Sequence, residues 1–154
     1  MIYATVVLET EIEKLCSLYC EEENVSLTNE YIEKSKETYR TLTAKGDAIL
    51  GIFEKNEDVE NVNLIGCVSI HYLDDLYPGY ENAPYVHLET IIVKKNYRGK
   101  GFGTLLLKEA LKLCKDKGIT YIIAQTGADN VAMRRVYEKV GLVNDYVNYY
   151  KKLI

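Results

Sequence analysis

The stretch "NYRGKGFGTLLLKEALKLC", residues 96–114, places three glycines within five positions behind Arg98 and then continues as a helix. The first-turn amides of a helix carry partial positive charge and bind anions. Glycines let the preceding backbone curl, so that its own amides point to the same place without a side chain in the way. The segment is therefore a candidate phosphate cradle, and a solvated glycine turn is the alternative.

Two common phosphate-binding motifs do not match this segment. A P-loop requires Gly-Lys followed by Ser or Thr, whereas Lys100 is followed by Gly101. A dinucleotide fingerprint that begins at Gly99 requires its third glycine at position 104, where Thr104 stands. That fingerprint also opens a long βαβ series, for which too little chain follows. Both motifs are excluded.

Composition limits the classes to which the chain can belong. A length of 154 residues suits a single domain over 1–154 with a sizeable core. Hydrophobic residues make up 47% and charged residues 27%, which is typical of a soluble globular protein. The net charge of −4 argues against a nucleic-acid binder. No apolar run reaches the length of a membrane span, and the first residues lack the basic region of a secretion signal.

Four cysteines are scattered through apolar surroundings, and neither histidine stands at metal-site spacing from them. We therefore expect buried reduced thiols and no metal site. Reduced thiols favour a cytoplasmic location. The residues concerned are Cys16, Cys20, Cys67 and Cys114.

The hydrophobic pattern predicts an α+β domain with helices against a mixed sheet. A first strand is expected to end at Leu8 and to lead into a helix with a Thr10–Glu13 capping box. A second helix is expected from about Thr28 to Gly46. The apolar runs 47–55 and 62–73 predict an antiparallel pair. The later predicted elements are strands at 85–93, 119–125 and 142–153 and helices at 103–117 and 130–140, which end at Gly118 and Gly141.

A third phosphate motif fits "IIVKKNYRGKGFGTLLLKEAL", residues 91–111. The stretch resembles the acetyl-CoA-binding motif of the GNAT N-acetyltransferase superfamily, in which an apolar strand leads through Arg/Gln-x-x-Gly-x-Gly/Ala into a helix. Arg98, Gly101 and Gly103 occupy those positions. The later segment "ADNVAMRRVYEKVGL" is similar to the family's Asn…Tyr-Glu-Lys-x-Gly-Phe segment, with Leu142 in place of Phe. The resemblance implies the GNAT fold, a mixed and mostly antiparallel sheet with a splayed central strand, flanked by helices.

The resemblance also implies acetyl-CoA as co-substrate. Its pyrophosphate would lie on the amides of the glycine loop, and its pantetheine arm would pair with the strand before the loop. Asn130 would contact that arm, although an N-cap role is an equal alternative. The implied binding residues are Ile91, Ile92, Val93, Arg98, Gly99, Lys100, Gly101, Phe102, Gly103, Thr104, Asn130 and Tyr137.

Glu89 and Tyr137 are the candidate catalytic residues. Glu89 stands inside the apolar strand "YVHLETIIV", where desolvation would raise the pKa of a carboxyl towards a range useful for a general base. It resembles a glutamate of glucosamine-phosphate N-acetyltransferase-like members, although Thr90 stands where those enzymes have aspartate. His87 shares the same face and is an alternative base, and a structural or exposed carboxylate is the other interpretation. Tyr137 matches the family tyrosine near the coenzyme sulfur, where it would protonate the thiolate; a purely core aromatic is the alternative.

These observations predict transfer of an acetyl group from acetyl-CoA to a primary amine of a small molecule or peptide by direct attack. The alternative is a non-catalytic acyl-CoA-binding sensor or interaction module. No motif identifies the acceptor. The helices within 10–45 and the acidic, tyrosine-rich loop at 72–85 are expected to frame its site, although the loop could equally be a solvated hairpin. A nucleic-acid or membrane partner is not expected, and a homodimer is left open.

Overall fold

The computed structural model describes residues 1–55, 62–73 and 85–144. These residues form a sheet with a layer of helices on each face. The strands are β1 (Ile2–Val6), β2 (Ala48–Lys55), β3 (Val62–Leu73), β4 (Tyr85–Val93) and β5 (Tyr121–Ala124). The helices are α1 (Ile12–Glu23) and α2 (Asn29–Ala44) between β1 and β2, α3 (Phe102–Asp116) between β4 and β5, and α4 (Val131–Lys139) after β5.

The five strands form one mixed sheet in the order β1-β2-β3-β4-β5. Strands β1 to β4 run antiparallel to one another in succession, which confirms the pair predicted from the runs 47–55 and 62–73. Only β5 runs parallel to its neighbour, β4, because α3 carries the chain back across the sheet. This is the predicted α+β architecture.

The two faces of the sheet are covered by different helices, and each face has its own apolar cluster. On one face α3 and α4 pack through Leu106, Leu107 and Val136. On the other face α1 and α2 pack through buried residues such as Ile12 and Ile32. The strands supply both clusters because successive side chains of a strand point to opposite faces.

Capping residues predict the start of α2 and the end of α3 correctly. The side chain of Thr28 accepts a hydrogen bond from the amide of Tyr31 at 3.2 Å, which confirms the predicted start of α2. After α3, Gly118 adopts a φ of 76°, and the amide of Ile119 donates to the carbonyl of Cys114 at 3.0 Å. This is the left-handed ending that glycine favours, as predicted.

The predicted Thr10–Glu13 capping box is wrong. A 3₁₀ turn at Glu9–Glu11 precedes α1, and the carboxylate of Glu11 accepts a hydrogen bond from the amide of Leu8 at 3.1 Å. Only the carboxylate half of a capping box therefore forms, earlier in the chain than predicted, because β1 ends at Val6 and the side chain of Leu8 has no atom that accepts a hydrogen bond. Of the predicted last strand, residues 142–144 are not in a strand. The rest of that strand and the loop at 74–84 lie outside the described residues.

All four cysteines are buried free thiols, as predicted. Burial raises the pKa of the Cys67 thiol to about 12, so it stays protonated near neutral pH. Among the helices of the described ranges, none is both long and apolar enough to cross a bilayer.

Two neighbouring leucines of α3 provide a matched test of this packing. Leu106 is fully buried, whereas the Leu105 residue is 36% exposed. Leu106→Ala is expected to lower the free energy of unfolding by about 2–5 kcal/mol because it leaves a cavity. Leu105→Ala should cost only about 0.5–1 kcal/mol. Chemical denaturation measures both, and equal losses would contradict the orientation of α3.

Candidate active site

The candidate site begins where β4 separates from β5. Their parallel pairing ends at Leu88 opposite Ala124, whereas β4 continues to Val93 with β3 as its only strand partner among the described residues. Within these residues, the edge of β4 that faces away from β3 is therefore unpaired beyond Leu88. The predicted coenzyme-binding residues Ile91, Ile92 and Val93 lie in this segment.

A bulge interrupts β4 at the start of this segment. Glu89 pairs with Ser69 and Ile92 pairs with Cys67, so that Thr90 and Ile91 both fall opposite the single residue between them. Thr90 has a φ of 46°, which is unfavourable for a β-branched residue and costs about 1–3 kcal/mol. Strain of this kind is typical of functional sites.

A cleft opens between the two separated strands. It contains about 300 Å³ of space, part of it open to solvent. Strand β4 supplies one wall, the chain just after β5 a second, and α4 a third. The lining residues are Leu88, Thr90, Ile91, Gln125, Thr126, Asn130, Met133 and Tyr137.

Tyr137 reaches this cleft from α4. Its ring packs against the apolar cluster of α3 and α4, and its hydroxyl donates a hydrogen bond to the carbonyl of Gln125 at 3.0 Å. Burial raises the pKa of Tyr137, so the hydroxyl remains a proton donor near neutral pH. The ring is therefore part of the core, and the residue also lines the cleft, with its hydroxyl proton donated to Gln125.

Asn130 is the N-cap of α4. Its side-chain oxygen accepts a hydrogen bond from the amide of Met133 at 3.1 Å, which confirms the capping role considered from the sequence. The residue also lines the cleft. A contact with a coenzyme remains a prediction.

The glycine loop leads into α3 with its amides unused. None of the amide N–H groups from Gly99 to Thr104 donates a well-formed hydrogen bond within the described part of the chain. Gly99 and Gly101 have φ values of 74° and 89°, and a Cβ added at either would meet nothing within 4 Å. The loop is thus an open cradle of donors at a helix start, and its residues fit a diphosphate.

Gly103 differs from the other two glycines. Its φ is not positive, and an added Cβ would lie 3.9 Å from the methyl groups of Val136 on α4, an ordinary contact. Phe102, which precedes it, packs edge-on against Tyr97. Gly103 is thus not required by backbone conformation.

The two cations of the loop both contact protein. Arg98 donates through Nε to the carbonyl of Val93 at 2.8 Å, and its Nη2 pairs with Glu22 at the end of α1. The ammonium group of Lys100 lies 5.5 Å from the centre of the Tyr97 ring. Arg98 therefore fastens the loop to β4 and α1, so the backbone amides are the better-placed donors for an anion.

Glu89 is not buried as the sequence predicted. Its side chain is 49% exposed, because it lies on the sheet face of α1 and α2 at a point that these helices leave open. One carboxylate oxygen lies 2.9 Å from Nδ1 of His87, which confirms that the two share a face. The other oxygen lies 3.6 Å from Nε2 of His71. Two imidazoles, and not desolvation, define the surroundings of this carboxylate.

Sequence reasoning missed His71 and Asp47 as members of this group. Nδ1 of His71 lies 2.9 Å from Oδ2 of Asp47, and Oδ1 of Asp47 accepts a hydrogen bond from the amide of Tyr72 at 2.9 Å. The pairing of β3 with β4 places His71 directly opposite His87, so the correct register of these strands would have identified His71 as part of the group. No local motif marks Asp47.

The profile of the Acetyltransferase (GNAT) family matches residues 12–142, which include the cleft, the glycine loop and both helical layers. The chain belongs to the GNAT acetyltransferase family.

A curated relative and two solved structures are similar to this GNAT chain. N-alpha-acetyltransferase 30 of Schizosaccharomyces pombe is 31% identical over 83 residues, which make up 54% of this chain and 53% of the relative. The match thus spans about half the length of that relative. Glucosamine-6-phosphate N-acetyltransferase from Arabidopsis thaliana has a TM-score of 0.75 and 16% identity, covering 100% of this chain and 99% of that chain.

The second structure is AAC(6')-Iy, in complex with the bisubstrate analogue CoA-S-monomethyl-acetylneamine. It has a TM-score of 0.76 and 19% identity, and the alignment covers 100% of this chain and 99% of that chain. At these identities, both solved structures establish the shared fold.

Asn130→Ala tests the capping role by itself. Loss of the bond to Met133 is expected to lower the free energy of unfolding by about 1 kcal/mol, whereas Asn130→Asp keeps an acceptor and should restore most of it. Chemical denaturation measures both variants. Equal destabilisation by Ala and Asp would show that the cap does not stabilise α4.

Proposed function

We propose that the protein is an N-acetyltransferase that moves an acetyl group from acetyl-CoA to a primary amine of a small molecule or peptide. The observation that carries this proposal is that two adjacent stretches of backbone have N–H groups without hydrogen-bond partners in the described residues. The unpaired edge of β4 runs from the bulge to Val93, and the free amides of the loop begin a few residues later. A ligand with an amide-rich arm and a diphosphate fits both surfaces.

Coenzyme A has these two parts. The amides from Gly99 to Thr104 would hold the pyrophosphate, with Arg98 fastening the loop. The edge at Ile91–Val93 would pair with the pantetheine arm as an added strand does. Asn130, which lines the same cleft, would contact this arm at the start of α4.

The chemistry requires three proton movements. An acceptor ammonium must lose a proton before the amine attacks the thioester carbonyl, the departing thiolate must gain one, and the attacking nitrogen must lose a second proton, which replaces the one given to the thiolate. Amides at the β4 bulge would stabilise the oxyanion formed in between. The Tyr137 hydroxyl, a neutral donor in the cleft, would protonate the thiolate. The products are the N-acetylated amine, coenzyme A thiol and one proton released to solvent.

Glu89 is the proposed base, with His87 as the alternative. Glu89 is open to solvent on the face of α1 and α2, whereas the proposed coenzyme cleft lies between β4, β5 and α4. An acceptor could therefore reach Glu89 while the coenzyme occupies the cleft. The half-exposure of Glu89 supports access by an acceptor, although desolvation no longer explains why it would be a base.

The class of acceptor is a choice between a peptide N-terminus and a small amine. The fission-yeast relative carries a name that indicates the first, and the Arabidopsis neighbour a name that indicates the second. We further propose that residues 1–154 form one domain, and the buried free thiols favour a cytoplasmic location. A non-catalytic acyl-CoA-binding module remains the alternative.

Release of thiol from acetyl-CoA, followed with DTNB, separates the two functions. The protein is expected to release thiol with at least one member of a panel that contains short peptides, amino sugars and aminoglycosides. Tight binding of coenzyme A without any turnover across the panel would instead support the binding module.

The loop makes a sharp prediction for coenzyme affinity. Gly101→Val places a branched side chain in the open cradle at a φ of 89°, and we expect binding of coenzyme A to weaken at least about tenfold. Gly103→Ala is the matched control, since its Cβ meets only Val136 at 3.9 Å. Calorimetry on variants with folded far-UV spectra measures both. Equal affinity of Gly101→Val and the wild type would remove the phosphate cradle from the proposal.

Tyr137→Phe tests the proton donor. The ring stays in the core, so the melting temperature should change by only a few degrees. If the hydroxyl protonates the thiolate, kcat should fall roughly 10²-fold with little change in coenzyme affinity. Steady-state kinetics and calorimetry provide the two values. A Phe variant with full activity would leave the thiolate to be protonated by water.

A further inference from the structure

Four polar side chains form a continuous row from the start of β2 across β3 to β4. We call this row, Asp47–His71–Glu89–His87, the relay. Asp47 Oδ2 lies 2.9 Å from His71 Nδ1, His71 Nε2 lies 3.6 Å from Glu89 Oε2, and Glu89 Oε1 lies 2.9 Å from His87 Nδ1. Glu89 is the most exposed member of the row at 49%, whereas the Asp47 side chain is 10% exposed and both histidines are about one-fifth exposed.

The contacts of Asp47 fix the state of His71. An ionised carboxylate can only accept hydrogen bonds, so the Nδ1 of His71 must carry a proton to bond with it. The other oxygen of Asp47 is held by the amide of Tyr72, which prevents the carboxylate from turning away. Nε2 is therefore the nitrogen of His71 that is left to accept a hydrogen bond.

That nitrogen faces Glu89. If His71 is neutral and Glu89 is ionised, two lone pairs face each other at 3.6 Å, which is unfavourable. A proton between them removes this repulsion, either on Nε2 or on the carboxyl. The geometry therefore allows one proton to lie between Nε2 and the carboxylate, with Asp47 on the far side to pair with an imidazolium.

In the described residues, few other titratable groups lie close to His71. Tyr39 faces His71 from α2 across a small cavity, and its hydroxyl is committed to the carbonyl of Val7 at 2.7 Å. His87 lies directly opposite His71 on β4. The groups that face His71 are thus Asp47, Glu89, His87 and Tyr39.

We propose that His71, held in place by Asp47 as a positioning residue, receives through Glu89 the proton removed from the acceptor amine. The proposal rests on the function proposed above. The ammonium group of the acceptor gives one proton to Glu89, which becomes neutral, and the amine becomes free to attack. Glu89 passes that proton to Nε2 of His71 and is ionised again. The imidazolium, paired with Asp47, then releases the proton to solvent, so that each turnover releases one proton.

Asp47→Asn is the decisive variant. Its Oδ1 can still accept from Tyr72, but its amide group donates to Nδ1 of His71 and moves the imidazole proton to Nε2. Nε2 then donates to Glu89 and can no longer accept from it. We expect kcat/KM to fall about tenfold and the acidic limb of its pH profile to move to lower pH, because the base becomes weaker. His71→Gln should have the same effect.

Two controls separate a relay from a structural role. Tyr39→Phe removes a neighbouring polar atom without touching the relay, and should leave both the rate and the acidic limb unchanged. Glu89→Gln should lower the rate more than Asp47→Asn does, since it removes the proposed base itself. Each variant is assayed by thiol release with the amine that the panel identifies as fastest.

Nitrogen-15 spectra of the two histidines provide a readout that does not depend on turnover. In the wild type, Nδ1 of His71 is expected to stay protonated while Nε2 titrates. In Asp47→Asn, the neutral ring is expected to carry its proton on Nε2. A bare Nδ1 in the wild type would overturn the proposal.

The kinetic outcomes distinguish failure of the relay from failure of the proposed acetyltransferase activity. An active wild type whose acidic limb is unchanged in Asp47→Asn and His71→Gln would overturn the relay and leave the acetyltransferase intact. A wild type that releases no thiol with any amine would overturn the proposed function, and the relay with it. A shifted limb with the exchanged tautomer supports both.

Discussion

The arrangement of the site depends on one interruption of the sheet, the end of pairing between β4 and β5 at Leu88 and Ala124. Beyond that point β4 keeps only its β3 neighbour, and the bulge at Thr90 and Ile91 resets which side chains face which layer. Ile91 packs with α3 and α4, whereas Ile92 packs with α1 and α2. The gap creates the cleft, and the strained Thr90 is tolerated because both neighbouring stretches of β4 are held by β3.

Much of this fold was accessible from sequence because its signals are local. The start of α2 near Thr28, the Gly118 ending and the helix that follows the glycine loop are each defined by a few consecutive residues, and each agrees with the prediction. The capping box predicted before α1 is wrong because its position depends on where β1 ends. Thr10 and Glu13 satisfy the spacing, but the carboxylate contact forms between Leu8 and Glu11.

The relations that sequence could not supply join distant residues. Arg98 pairs with Glu22 on α1, and Asp47 with His71 on a strand whose register no local pattern reveals. Glu89 was expected to be buried because its strand is apolar. Its exposure instead depends on how far α1 and α2 extend over the sheet, which is set by tertiary packing. Motifs therefore located the proposed donor side of the site better than its acceptor side.

Strand alternation and the bulge together separate these two sides while their residues are adjacent in sequence. Leu88 and Glu89, which precede the bulge, point to opposite faces by ordinary alternation, so the first lines the cleft and the second lies on the face of α1 and α2. A regular strand would keep strict alternation through Val93, whereas the extra residue returns Ile91 to the cleft side. The proposed base can thus stand on the acceptor side while the strand edge beyond it stays free for the coenzyme arm. The loop is joined to α1 by the Arg98–Glu22 pair, so a change in α1 or α2 that keeps Glu22 would alter the proposed acceptor side without releasing the loop that would hold the donor.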